Sequence, residues 1–374
     1  MPPLVLINAV GLTPRLLPHA PHLHAHAGKG WLRPLREVLP AVTCTAQASI
    51  LTGVQPQQHG IVGNGWLYRD TMEIRFWQQS NHLLQAEPLY GTAKKRNPSF
   101  RCAKLFWWFN QGADVAISVT PKPHYGIDGN KVFGIHGTPE GMTEQLERDL
   151  GPFPFFTFWG PKAGLPCTQW IANCAAKILY DHHPDLTLVY LPHLDYDPQR
   201  YGPEGSDMPR LVRELDEACR LILDAAQALG ATVWVVSEYG HVQVKRPVYV
   251  NHVLRETGLL QVRRGPFGEQ LDTFTSRAFA VCDHQLAHVY VADADDLEKT
   301  EALLAAVPGV ARVLAGGKRA EIGLLHRRSG ELILLSEPDA WFAYPFWLDD
   351  DWAPDYARTV AIHHKPGYDP CELF

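Results

Sequence analysis

Several absences narrow this sequence before any motif is considered. It contains no run of 18 consecutive apolar residues, so no membrane-spanning helix is expected. Basic residues come at most two or three in a row, and the 374-residue chain has a formal net charge of -6. Both argue against a nucleic-acid surface. Cysteine is sparse: the 7 residues are odd in number, scattered and without a CxxC pair, and they read as reduced core thiols of a cytoplasmic protein. "MPPLVLINAVGL" at the start has neither a basic segment nor a small-residue cleavage site, so no export signal is expected. No repeat or low-complexity tract interrupts the chain. What remains is a globular protein acting on a small molecule, with no nucleic-acid or membrane partner expected and its oligomeric state open.

The features that are present point to an α/β fold. "LVLIN" (4–8), "KLFWWF" (104–109), "DVAISV" (114–119), "LTLVYL" (186–191) and "TVWVV" (232–236) are near-continuous apolar runs, which suit strands covered on both faces. Before the last of these, Leu211, Leu215, Ala218, Ile222, Ala225 and Leu229 recur at helical spacing. Asp207 can cap that helix and Gly230 can stop it. "PHAPHLHAHAGKG" reads as a surface helix, and the Gly-, Pro- and aromatic-rich stretch from 65 to 185 as loops walling a cleft. The texture changes near 245. "AFAVCDHQLAHVYVA", "DADDLEKTEALLAAV", "GVARVLAG", "AEIGLLHR" and "GELILLSE" suggest a β-α-β-β-β order. The expected fold is therefore a doubly wound, mostly parallel central sheet with helices on both faces, over 1–244 and 339–374, with a small inserted α+β subdomain at 245–338.

Such sheets hold ligands beyond the carboxyl ends of their strands. The polar residues there are Asn8, Asp195, Glu238, Tyr239 and His241, a mixture suited to a divalent metal. Within "PAVTCTAQASILTGVQPQQHGIVGNG" (40–65), a threonine hydroxyl, Thr43 or Thr45, opens a short helix. Beside a metal, and favoured by the helix dipole, such a hydroxyl could become a nucleophile.

These residues carry a resemblance. "LVLINAVGLTPRLL", "VTCTAQASILTGVQPQQHGIVGN", "HLLQAEPLYGTAKK", "LDYDPQRYGP", "VVSEYGH" and "HHKPGYD" are similar, in order and spacing, to the alkaline phosphatase superfamily, and most of all to its type I phosphodiesterase/nucleotide pyrophosphatase branch. The resemblance covers nearly the whole chain. It implies that Thr43 is the nucleophile, forming a phosphoryl-threonine intermediate between two metals, usually zinc. It also implies that Asn64 binds phosphate and that Asp195 is a metal ligand.

Departures from the family pattern accompany the resemblance. Val10 stands where the first metal aspartate would be, with Asn8 as the nearest substitute. Gln199 replaces a histidine, and Glu238 and Tyr239 replace an aspartate–histidine pair, leaving His241 as the stand-in imidazole. The last metal histidine falls on His363 or His364, and His193 is a further candidate ligand if its strand continues. The implied cofactor is one or two divalent ions, zinc first, with manganese or magnesium as the alternative. The implied activity is a metal-dependent hydrolase of phosphoric or phosphonic esters, and its rival is a catalytically degenerate ligand-binding member of the same fold. Asp283, His284 and His288 read as a hydrogen-bonded structural cluster, His59 as a turn former, and "FWWFN" (106–110) as core or as a stacking surface for a flat substrate group.

Overall fold

The computed structural model describes residues 2–128 and 130–358 and divides them into two compact units. The first comprises residues up to Glu37, Leu51–Gly53 and Gln79–His241. Its six-stranded sheet runs Thr232–Val236, Leu4–Ala9, Leu186–Leu191, Cys102–Leu105, Ile117–Pro121, Ile135–Thr138. All neighbours are parallel except the last pair. The fold is thus the α/β class with a mostly parallel sheet. Its inner apolar strands are buried as expected, Leu186–Leu191 along its whole length, whereas the edge strand Thr232–Val236 has no fully buried residue and leaves Trp234 51% exposed. The helix Met208–Ala228 forms where the periodicity placed it, and the Asp207 carboxylate accepts the Arg210 backbone N–H at 3.2 Å. Its Asp216 carboxylate reaches across to cap Pro21–Gly28, accepting from the His22 and Leu23 amides at 2.9 Å each.

One apolar run departs from expectation. The strand read over 104–109 is Cys102–Leu105, and the chain then turns sharply, with positive φ at Phe106 (60°) and Phe109 (54°). Phe106, Trp107, Trp108 and Phe109 are at most 2% exposed, so this run is core and offers no stacking surface. Lys104 is buried beneath the turn. Its ammonium nitrogen lies 2.6 Å from the Phe109 carbonyl and 5.3 Å from the centre of the Tyr90 ring.

The second unit comprises Val38–Ile50, Val54–Gln78 and the described residues from Val242 onward. An antiparallel four-stranded sheet runs Ala278–Asp283, Leu286–Val291, Leu332–Ser336, Val310–Ala315. The stretch "AFAVCDHQLAHVYVA" is a hairpin rather than one strand, turning at His284 (φ 61°) and Gln285. "AEIGLLHR" lies in and just after the 3-10 helix Gly316–Ile322 and is not a strand. The sequence boundaries for the small subdomain were 245 and 338. The compact unit also takes in Ala340–Phe342, because that strand pairs in parallel with Arg246–Val248 and its side chains join the same core.

Burial holds the Lys104 amine below the usual lysine range, at about 7. Between that value and the ordinary one an unfolded chain binds a proton that the folded chain does not, so stability rises with pH over this window. The stability advantage expected for Lys104→Met over the parent should therefore shrink between about pH 7 and about pH 10. Melting curves of the two proteins across that range check it, and a constant difference would mean that the amine is charged in the fold.

Candidate active site

In the first unit the parallel register sets Asn8 opposite Val236, two residues before Glu238. The two side chains meet beyond the strand ends, where the Asn8 amide donates to Glu238 Oε1 at 2.5 Å. Asn8 is fully buried and Glu238 is 5% exposed. Asn8 Oδ1 has no hydrogen-bond partner among the described residues. A buried amide oxygen whose lone pairs accept no hydrogen bond, next to a carboxylate, is a donor suited to a hard cation.

Beside this pair the chain turns at Gly11 (φ 77°), where a Cβ would lie 2.7 Å from His241 Cε1. The imidazole therefore rests against bare backbone. His241 Nε2 lies 3.0 Å from Asp195 Oδ1, and the Tyr239 hydroxyl donates to the same oxygen at 3.2 Å. Asp195 itself sits in the first turn of the helix His193–Tyr201, where the dipole favours its negative charge.

The remaining candidates divide. Leu186–Leu191 does not continue to His193, which begins that helix. Its Nε2 lies 2.9 Å from Glu214 Oε2, so His193 does not share a strand face with Asp195. Gln199 is one turn further along the helix than Asp195, on the same side. Val10, at the position of the missing aspartate, is fully buried in the hydrophobic core. His363 and His364 lie outside the described residues. Among the described residues no three His, Cys, Asp or Glu side chains gather as a metal site. What the structure brings together is two pairs, Asn8 with Glu238 and His241 with Asp195.

In the second unit Thr43 is the first residue of the helix Thr43–Thr52. Thr45 is completely buried, and its hydroxyl has no partner among the described residues; Thr43 keeps 5% exposure at the helix end. Asn64 follows the turn that ends at Gly60 (φ 77°), and its side-chain oxygen accepts the Cys44 backbone N–H at 3.1 Å. The nitrogen of the same amide donates to Asp283 Oδ1 at 3.2 Å, while the Asn64 backbone N–H donates to Asp283 Oδ2 at 2.6 Å. His59, in the turn, accepts the Ile61 N–H on Nδ1 and bonds Ser49 Oγ at 2.8 Å through Nε2. Burial chiefly pushes its pKa down to about 4, so it is a neutral spacer. Sequence reasoning missed the partnership of Asp283 with Asn64. The two are 219 residues apart, and only the end of a strand marks Asp283.

Comparison with known proteins identifies the family and the fold. The family described as type I phosphodiesterase / nucleotide pyrophosphatase matches residues 4–369. Human ectonucleotide pyrophosphatase/phosphodiesterase family member 1 is 24% identical over 244 residues, 62% of this chain and 22% of that protein; the rat protein matches over the same shares to within a percentage point. The match thus spans less than a quarter of these relatives' length. Phosphonoacetate hydrolase from Sinorhizobium meliloti, solved with phosphonoacetate, superposes with a TM-score of 0.66 at 19% identity, over 92% of this chain and 82% of that one. An inactive form of murine ectonucleotide pyrophosphatase / phosphodiesterase 5, solved with AMP, gives 0.62 at 13% identity, over 99% and 85%. At these identities the likeness of structures establishes an alkaline phosphatase-like fold. With the family pattern running through the whole sheet and both site segments, the chain belongs to the type I phosphodiesterase / nucleotide pyrophosphatase family, a family of hydrolases.

Proposed function

We propose that this protein hydrolyses a small phosphoric or phosphonic ester, in the manner of a phosphodiesterase or nucleotide pyrophosphatase, with Thr43 attacking phosphorus. The observation that carries this reading is the junction at the start of the helix Thr43–Thr52. The hydroxyl stands at the positive end of the helix, and the adjacent Cys44 amide is tied to Asn64. Thr43 Oγ1 forms the bond to phosphorus as the bond to the leaving oxygen breaks, the hydroxyl proton passing by way of solvent to the leaving oxygen; water then cleaves the phosphoryl-threonine, giving its OH to phosphorus and a proton back to Oγ1. Asn64 Nδ2 carries two hydrogens and spends one on Asp283. The second can meet a non-bridging oxygen, whose charge grows in the transition state. The substrate classes in the phosphonoacetate- and AMP-bound relatives support a phosphonate or a phosphate ester here.

Members of the family generally depend on divalent metal ions. The residues present do not fit two zinc centres, because Val10, Gln199 and Tyr239 occupy ligand positions. We assign one ion to Asp195, His241, Glu238 and the Asn8 carbonyl, with Gln199 in reserve and His363 as the candidate outside the described residues; the pairs Asn8–Glu238 and His241–Asp195 would have to draw together around it, since among the described residues no three acidic or imidazole side chains gather. A set dominated by oxygen favours manganese or magnesium over zinc. When bound, such an ion would supply positive charge suited to a phosphate or phosphonate. His193 is committed to Glu214 and is left out of the set. We also place the protein in the cytoplasm, a reading supported by its six described cysteines, all of them buried thiols.

The same three replacements favour a second reading, a ligand-binding member that has lost turnover. Hydrolysis of a chromogenic phosphodiester separates the two. Thr43→Ala is expected to lower the rate by at least about 10³-fold with an unchanged melting curve. A parent protein that binds AMP but turns over nothing would establish the second reading. Calorimetric titration with manganese is expected to give one ion per chain, with affinity reduced about tenfold or more in Asp195→Asn. Two equivalent zinc ions per chain would refute the single-ion assignment.

A further inference from the structure

The turn from His59 to Asn64 is held by side chains that come from far along the chain. The Arg328 guanidinium donates to the Gly60 carbonyl at 2.6 Å, and His288 Nε2 donates to the Val62 carbonyl at 2.9 Å. His288 is fully buried, and its other ring nitrogen accepts the Gly330 N–H at 3.3 Å. Its tautomer is therefore set by two backbone groups. Asp283, 1% exposed, completes the set by accepting from both the backbone and the side chain of Asn64. The close approach requires glycine at the preceding position, since a Cβ on Gly63 would lie 2.9 Å from Asp283 Oδ2.

We infer that Asp283 is a positioning residue for the proposed reaction: it fixes the orientation of the Asn64 amide, and through it the recognition of the phosphoryl group. A terminal amide flips easily between two nearly isosteric states. Asp283 has only acceptors, so the Asn64 nitrogen must face it and the Asn64 oxygen must face the Cys44 N–H. One hydrogen of Asn64 Nδ2 is then always presented in the same direction. The inserted hairpin thereby becomes part of the anion site, although no residue of it needs to touch substrate.

This inference rests on the proposed role of Asn64, and its test separates the two. Orthovanadate binding to the purified full chain is measured by calorimetry for the parent, Asp283→Asn, Asn64→Ala and the double variant. In Asp283→Asn a donor replaces one acceptor and opposes an N–H of Asn64. Affinity is expected to fall about tenfold or more, whereas the double variant should bind no worse than Asn64→Ala alone. Equal losses from Asp283→Asn in both backgrounds, or no loss at all, would overturn the positioning role. An Asn64→Ala protein that binds vanadate as the parent does would instead sink the role given to Asn64. Should Asp283→Asn not fold, Asp283→Glu keeps both acceptors but moves them by a methylene, and the same cycle is read with it.

Discussion

The arrangement of the first unit depends on the parallel pairing of Leu4–Ala9 with Thr232–Val236 on one side and Leu186–Leu191 on the other. Parallel strands deliver their carboxyl ends to a single edge, so residues some 230 positions apart arrive together without any local signal to guide them. Asn8 meets Glu238 because Asn8 is level with Val236, and Asp195 follows because Asn8 is also level with Tyr190. A slip of one residue in either ladder would turn Asn8 to the other face and dissolve the pair. The polar side chains at this edge are thus a consequence of the apolar ones: Val5 and Ile7, fully buried, hold the register that Asn8 uses.

In the second unit the governing contacts are hydrogen bonds made by a handful of buried polar groups to one turn. Such groups cost free energy unless paired, and here each pairing also fixes a direction. His288, Asp283 and Arg328 take up a carbonyl, an amide or a side chain of residues 60–64. The helix Thr43–Thr52 is joined to that turn through Cys44 and Asn64. The geometry around the threonine therefore depends on residues that contribute no chemistry of their own.

Much of this was legible in the sequence, and the failures have identifiable causes. The helix Met208–Ala228 was readable because its apolar positions keep the period of 3.6 and Asp207 caps it through a local bond. Asp195 was readable as the polar residue after an apolar strand, although the strand stops at Leu191 and the helix takes over at His193, which sent His193 elsewhere. The aromatic run after Lys104 looked like a continuing strand because apolarity alone does not show a turn. It bends through positive φ at two phenylalanines, an uncommon conformation that only surrounding packing can hold. The hairpin at His284 was hidden for a related reason, since its tight turn carries histidine and glutamine in place of the usual asparagine and glycine. The bond between Asp283 and Asn64 has no sequence signature at all.

The polar residues at the sheet edge form a coherent set when their charges are counted. Two carboxylates remain there, Asp195 and Glu238, and each faces neutral or titratable donors: a phenol and an imidazole for the first, an amide for the second. Glutamate, one methylene longer than aspartate, spans the distance to the Asn8 nitrogen. Val10 then has no polar duty and joins the hydrocarbon of the core. An aspartate placed at position 10 alone would accordingly bury an uncompensated charge in that core, so the polar character of this edge rests with the residues that the register carries past the strand ends, Asn8 and Glu238.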